Sequence, residues 1–90
     1  MSNPNPKELM AKGIKHAMAG RHNQALKSFD KALRLAPNEP VLWFNKGNLL
    51  SEMLRFKEAL VCFDKTTGLI THDPQIWFAK GFTNERLQRY

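Results

Sequence analysis

Three histidines, one cysteine and eight carboxylates are the groups in this 90-residue chain able to bind a metal, attack an electrophile or move a proton. His16, His22 and His72 have no spacing that sets two of them on one helix face, so no metal site is expected. His16 falls on the core-facing side of its segment and reads as a hydrogen-bonded structural histidine. Cys62 has no residue pairing around it that would draw off its proton, and a packed thiol fits better than a nucleophile. Asp30 and Asp64 stand 34 residues apart, a separation that returns throughout the chain. Carboxylates repeated at a structural period belong to the framework rather than to an acid–base pair. Apart from Gly20 the glycines lie within helical segments, and they are not gathered into a phosphate-binding loop. No catalytic constellation emerges: the chain reads as a non-enzyme without cofactor or metal.

The period itself carries more information. A shift of 34 residues aligns Pro6, Pro40 and Pro74, then Lys12-Gly13, Lys46-Gly47 and Lys80-Gly81, then Arg21, Arg55 and Arg89. Ala25-Leu26 falls on Ala59-Leu60, Phe29-Asp30-Lys31 on Phe63-Asp64-Lys65, and Leu35 on Leu69. Residues 6–39 and 40–73 thus share ten identities, against about two expected by chance at ordinary residue usage. Trp43-Phe44 recurs as Trp77-Phe78. The expected organisation is a flank at 1–5, units at 6–39 and 40–73, and a half unit at 74–90.

Each unit divides into two amphipathic stretches, and helices are expected at 7–20, 23–36, 40–53, 57–69 and 74–88. Asn5-Pro6 and Asp73-Pro74 place a capping side chain before a proline suited to the first helical position, with Glu39-Pro40 a weaker version. Gly20 marks the first internal turn; Leu54-Arg55-Phe56 makes the second without glycine. Gly13, Gly47 and Gly81 sit mid-helix, where glycine costs about 1 kcal/mol relative to alanine. Their common phase implies a helix packed closely against each, with Ala25 and Ala59 as the expected opposing surface and Phe29 and Phe63 a turn beyond. Neither stretch can bury its apolar face alone, so the units must stack.

Trp43, Gly47, Leu50, Ala59 and Phe63, with Leu9, Gly13, Ala25, Phe29, Ala32 and Pro37 in the first unit, follow the spacing of a known motif. The pattern resembles the tetratricopeptide repeat, and the resemblance runs over residues 6–90. It implies an all-α, right-handed α-solenoid of five helices that binds a protein partner, with a peptide or helix laid into a concave groove lined by the first helix of each unit. On that implication Met10, Ile14, Phe44, Asn45, Asn48, Phe78 and Phe82 are the groove residues. Phe44 and Phe78 are open between a groove role and packing against neighbouring helices. One subset of the family clamps chaperone-tail carboxylates with lysines, asparagines and an arginine. Only Asn45 matches it here; Met10, Ile14, Gln75 and Ala79 stand where other clamp residues belong. A clamp without its cations cannot offset carboxylate desolvation, so an acidic EEVD-type tail is not an expected ligand.

The chain departs from the pattern where lysine stands before each glycine and where Thr66, Thr67, Gly68 and Thr71 replace Ala32, Leu33, Arg34 and Pro37. Long lysine stems can lie along apolar surface while their ammonium groups reach water. The end of the fourth helix is expected to be the weakest part of the stack. The formal charge of +6 admits an alternative, a basic surface for nucleic acid. The dispersion of lysines and arginines among acids argues against it. A third reading is an oligomerisation or spacer module. No apolar run approaches the roughly 18 residues of a membrane helix. Met1–Pro6 has no signal-peptide pattern, and the lone cysteine gives no disulfide; a cytoplasmic location is expected. The third unit breaks off at Tyr90, in the column of Phe56, with Asn84 and Glu85 where Leu50 and Ser51 stand. That half-made cap reads as the cut end of a longer array, with self-association through the exposed last helix; a short natural protein is the rival reading.

Overall fold

The computed structural model describes residues 5–70 and 72–89. Met1–Pro4, most of the expected flank, lie outside the described residues, as do Thr71 and Tyr90. Five helices follow one another: α1 (Pro6–Met18), α2 (His22–Leu35), α3 (Pro40–Glu52), α4 (Phe56–Leu69) and α5 (Pro74–Arg89). They match the expected segments to within one or two residues at each end, and there is no strand among the described residues. Starts are set as the sequence implies. Asn5 Oδ1 accepts from the Glu8 amide at 2.8 Å and Asp73 Oδ1 from the Gln75 amide at 3.0 Å, while Glu39 makes no side-chain cap. Each cap satisfies an amide that the helix itself leaves without a partner.

Both internal turns share one geometry. The Arg21 amide donates to His16 O at 2.9 Å and the Arg55 amide to Leu50 O at 2.8 Å. Such a reversal needs one residue in the left-handed region. Gly20 takes it in the first unit with φ 78°, and Leu54 takes it in the second with φ 63°. The missing glycine therefore changes the strain of the second turn but not its shape.

α1 packs on α2, α3 on α4, α2 on α3 and α4 on α5, with α1 touching α3 and α3 touching α5. This is an all-α solenoid, drawn out over 47 × 28 × 17 Å. Two buried clusters lie along it. Leu9, Ala25, Phe29, Ala32, Leu33, Leu42 and Leu49 form the first. Leu50, Ala59, Cys62 and Phe63 form the second, and Leu26, Trp43 and Met53 pack against both.

At Gly13 and Gly47 the nearest part of the expected opposing surface is its aromatic ring. A Cβ at Gly13 would lie 2.6 Å from the Phe29 ring, and one at Gly47 would lie 2.6 Å from the Phe63 ring. The phenyl rings come nearest to the notch, because the ring one turn beyond Ala25 or Ala59 leans back across the shared face. Both alanines are fully buried all the same. A Cβ at Gly81 would meet no other part of the structure within 4 Å.

The lysines before the glycines do more than lay their stems on apolar surface. Lys46 Nζ is 2.7 Å from Asp30 Oδ1 and Lys80 Nζ is 2.6 Å from Asp64 Oδ1. Each lysine also lies over the tryptophan of its own helix, 5.8 Å from the Trp43 centroid and 5.3 Å from Trp77. Asp and Lys columns that each recur at the period thus join one unit to the next. Lys12, the first of the column, is exposed. Trp43 is pinned from its other edge, its Nε1 donating to Pro37 O at 2.7 Å. At the end of α4, Thr66 Oγ1 donates to Cys62 O at 2.9 Å and Thr67 Oγ1 to Asp64 O at 3.0 Å. The hydroxyls fold back on the helix, which runs on to Leu69.

Candidate functional site

α1, α3 and α5 start on equivalent prolines, so residues one period apart hold the same phase on each. Between α1 and α3 lies a cleft of about 190 Å³, lined by Ile14, Ala17 and Met18 on one side and Asn45, Asn48, Leu49 and Glu52 on the other, with Phe29 at its floor. A second cleft, of about 450 Å³, lies between α3 and α5. Phe44, Asn48, Ser51 and Glu52 face Gln75, Phe78, Ala79, Phe82 and Thr83 across it.

The second cleft is the first moved along by one period. Ile14, Ala17 and Met18 become Asn48, Ser51 and Glu52; Asn45, Asn48 and Leu49 become Ala79, Phe82 and Thr83. Asn48 and Glu52 belong to both and form the ridge between them. The polar content shifts along the way, with amides ahead of the ridge and aromatic rings beyond it.

Of the expected groove residues, Ile14, Asn45 and Asn48 meet in the first cleft, and Phe44, Asn48, Phe78 and Phe82 in the second. Met10 does not join them. It lines a separate hollow of about 230 Å³ with Pro6, Lys7, Glu39, Val41 and Leu42. Phe44 is half-buried and tilts at 52° against Phe63, ring centres 5.8 Å apart, so it serves the core as well as the cleft. Phe78 is 76 % exposed and Phe82 49 %, and their rings stack at 6.5 Å. A stacked, exposed aromatic pair offers a large apolar contact at little cost in side-chain freedom.

Thr83 was not apparent from sequence as a cleft residue. It occupies the column of Leu49, is fully buried, and shares a 3.1 Å hydrogen bond with Ser51 while donating to Ala79 O at 2.8 Å. A polar residue in a core column, one period from an apolar one, was the available signal.

Charge is distributed unevenly about the clefts. Glu52 is the one ionised residue lining either of them, with His22 Nε2 3.7 Å from its carboxylate. The neighbouring cations are turned elsewhere: Lys46 and Lys80 to the aspartates, and Arg55 to Glu58 in a two-pronged contact of 2.9 and 2.6 Å. That contact lowers the Glu58 carboxyl and raises the Arg55 guanidinium from their ordinary values. Arg86 lies over the rings of Phe56 and Phe82.

Elsewhere, His16 is half-buried and its Nδ1 accepts from Arg21 Nε at 3.3 Å. Cys62 is buried, and burial pushes its thiol up to about 11, leaving it protonated near neutral pH. No cluster of metal-ligating side chains occurs among the described residues. No described helix is long and apolar enough to cross a membrane.

Two family models, each described as a tetratricopeptide repeat, match residues 6–39 and 28–61. The first ends where the first helix pair and its linker end; the second runs from α2 across the unit boundary into α4. The chain belongs to the tetratricopeptide repeat family. No curated protein matches it. Tetratricopeptide repeats generally mediate protein–protein interaction, and theirs is an interaction fold rather than a catalytic one. In this tetratricopeptide chain the paired clefts run along the helices that begin each unit, and the buried Gly–Phe contacts lie on the side of those helices facing α2 and α4.

Proposed function

We propose that this chain is a protein-interaction scaffold, without catalytic activity of its own, that holds a partner's helix or extended segment along α1, α3 and α5. In this reading residues 6–39 and 40–73 are full units and 74–90 a half unit. Ile14, Asn45, Asn48, Phe44, Phe78 and Phe82 contact the partner, with Met10 at the margin. The observation that carries the proposal is the pair of clefts one period apart, ending on two exposed rings that no neighbouring helix covers. Apolar anchors in such clefts supply most of the affinity, and the Asn48 amide meets the partner's backbone. The absence of lysine and arginine from both cleft linings supports excluding a carboxylate-clamp mode.

Phe78→Ala/Phe82→Ala tests the reading without disturbing the core, because both rings are exposed. Removing two aromatic anchors weakens partner capture by about 2 kcal/mol or more, roughly 30-fold. Capture unchanged by the double substitution contradicts the proposal. Salt separates it from a basic nucleic-acid surface: affinity in an apolar cleft varies weakly with ionic strength, whereas phosphate contacts lose affinity steeply.

A second reading rests on a different observation. Trp77 and Phe78 are 51 % and 76 % exposed beside the open notch at Gly81, and the same face of α3 is covered by Phe63. Self-association through α5 would cover it.

A further inference from the structure

The chain carries a formal charge of +6, yet the two clefts it offers a partner contain no cation and one carboxylate, Glu52. Glu52 stands on the ridge that both clefts share, beside Asn48, where any segment lying across the two must pass. Its side chain is 62 % exposed, with His22 Nε2 3.7 Å from its carboxylate and no lysine or arginine paired with it among the described residues. Lys46 is engaged by Asp30, Lys80 by Asp64 and Arg55 by Glu58, while Arg86 lies over the rings of Phe56 and Phe82 without lining either cleft. An acidic segment would therefore set its charge against Glu52 with no lysine or arginine in the lining to receive it. One period earlier the ridge position is Met18 and one period later it is Arg86, so within the two clefts the negative charge sits at Glu52 alone, while Glu39 with Lys7, and Asp73, line the hollows nearer the helix starts.

From this we infer that the groove selects an amphipathic helical segment bearing a lysine or arginine at the edge of its apolar stripe, placed to meet Glu52. The inference rests on the scaffold reading above and adds the sign of the partner's charge. The net positive charge of the whole chain opposes a basic segment at long range. At physiological salt the Debye length is about 8 Å, so that repulsion is largely screened while a direct ion pair on the ridge is not. A pair this exposed is worth about a two- to five-fold gain in affinity, enough to bias selection between otherwise equal segments.

The test is selection from a display library of 16-residue amphipathic helices, randomised on the apolar stripe and at its edges, against the whole chain at physiological ionic strength. Wild-type chain is expected to enrich lysine or arginine at one edge position. Selected peptides bind two- to five-fold more weakly to Glu52→Gln, and selection on Glu52→Lys enriches aspartate or glutamate at the same position. Circular dichroism melting establishes that both variants stay folded. Binders enriched in acidic residues, or neutral at the edges, overturn the inference while leaving the groove in place; acidic enrichment would point to the outer basic surface. Binders recovered equally well by Phe78→Ala/Phe82→Ala, or no binders at all, remove the groove reading and this inference with it.

Discussion

Glycine at one helical phase has opposite consequences in different units. At Gly13 and Gly47 a methyl group would enter a phenyl ring at 2.6 Å. Both rings are buried, Phe63 in the second core cluster and Phe29 in the first with one side toward the cleft, so a shift of either disturbs core packing. Gly13→Ala and Gly47→Ala are expected to destabilise the fold by about 1–3 kcal/mol. Gly81 has open space around it, and Gly81→Ala is expected to stabilise by about 0.5–1 kcal/mol through helix propensity alone. Urea unfolding of the three variants checks the sign reversal; the same sign at all three positions would contradict it. Cys62 gives a second test. Its thiol ionises at an ordinary 9.0 when unfolded and near 11 when folded. The folded state holds the proton more tightly, so this component of stability is complete below pH 9 and is lost as pH rises through 11. Cys62→Ala should flatten that alkaline decline in denaturant midpoint. Alkylation of native wild type at pH 8 should be negligible until the chain is unfolded.

At the scale of elements, the turn into α4 concentrates strain where the equivalent turn into α2 has none. Leu54 adopts φ 63° with its side chain over half exposed. Left-handed backbone costs a residue with a Cβ about 1–2 kcal/mol, so Leu54→Gly is expected to gain about 0.5–1 kcal/mol after lost packing. Gly20→Leu should lose a similar amount. Thermal melting of the two variants decides it, and equal shifts of one sign would contradict the account. Sequence located the five helices well because capping residues, prolines and the apolar period all agree at α1, α3 and α5. The start of α4 lies within one residue of its expected place, as do those of α1 and α2, although the turn before it is closed by the Arg55 backbone hydrogen bond with no glycine to announce it. The contact partners of the glycines were legible only to within a turn, because which of two residues leans into a notch depends on side-chain direction. The Asp30–Lys46 and Asp64–Lys80 contacts were within reach of sequence. Both columns recur at 34 residues and stand 16 apart, yet the pairing is evident only once α2 lies against α3.

Over the whole molecule, the solenoid separates its surfaces. Phenyl rings and glycines lock each helix pair, Asp–Lys contacts join the units, and the first helices leave a row of clefts open along one side. The α5 face carrying Trp77, Phe78 and Gly81 is apolar surface left open to solvent. Light scattering over rising concentration is expected to detect an increasing average mass, and a constant monomer mass would contradict self-association. That Phe44, Asn48, Phe78 and Phe82 line one cleft could be expected from the resemblance, which sets the first helix of each unit along one side. The diversion of Met10 to a separate hollow was not, because that depends on where the linker holding Glu39 crosses α1. Amide chemical-shift mapping with a selected helical peptide tests the central claim most directly. The largest shifts are expected at Ile14, Asn45, Asn48, Glu52, Phe78 and Phe82. Shifts concentrated instead at Lys27, Lys31 and Arg34 on the exposed side of α2 would contradict it.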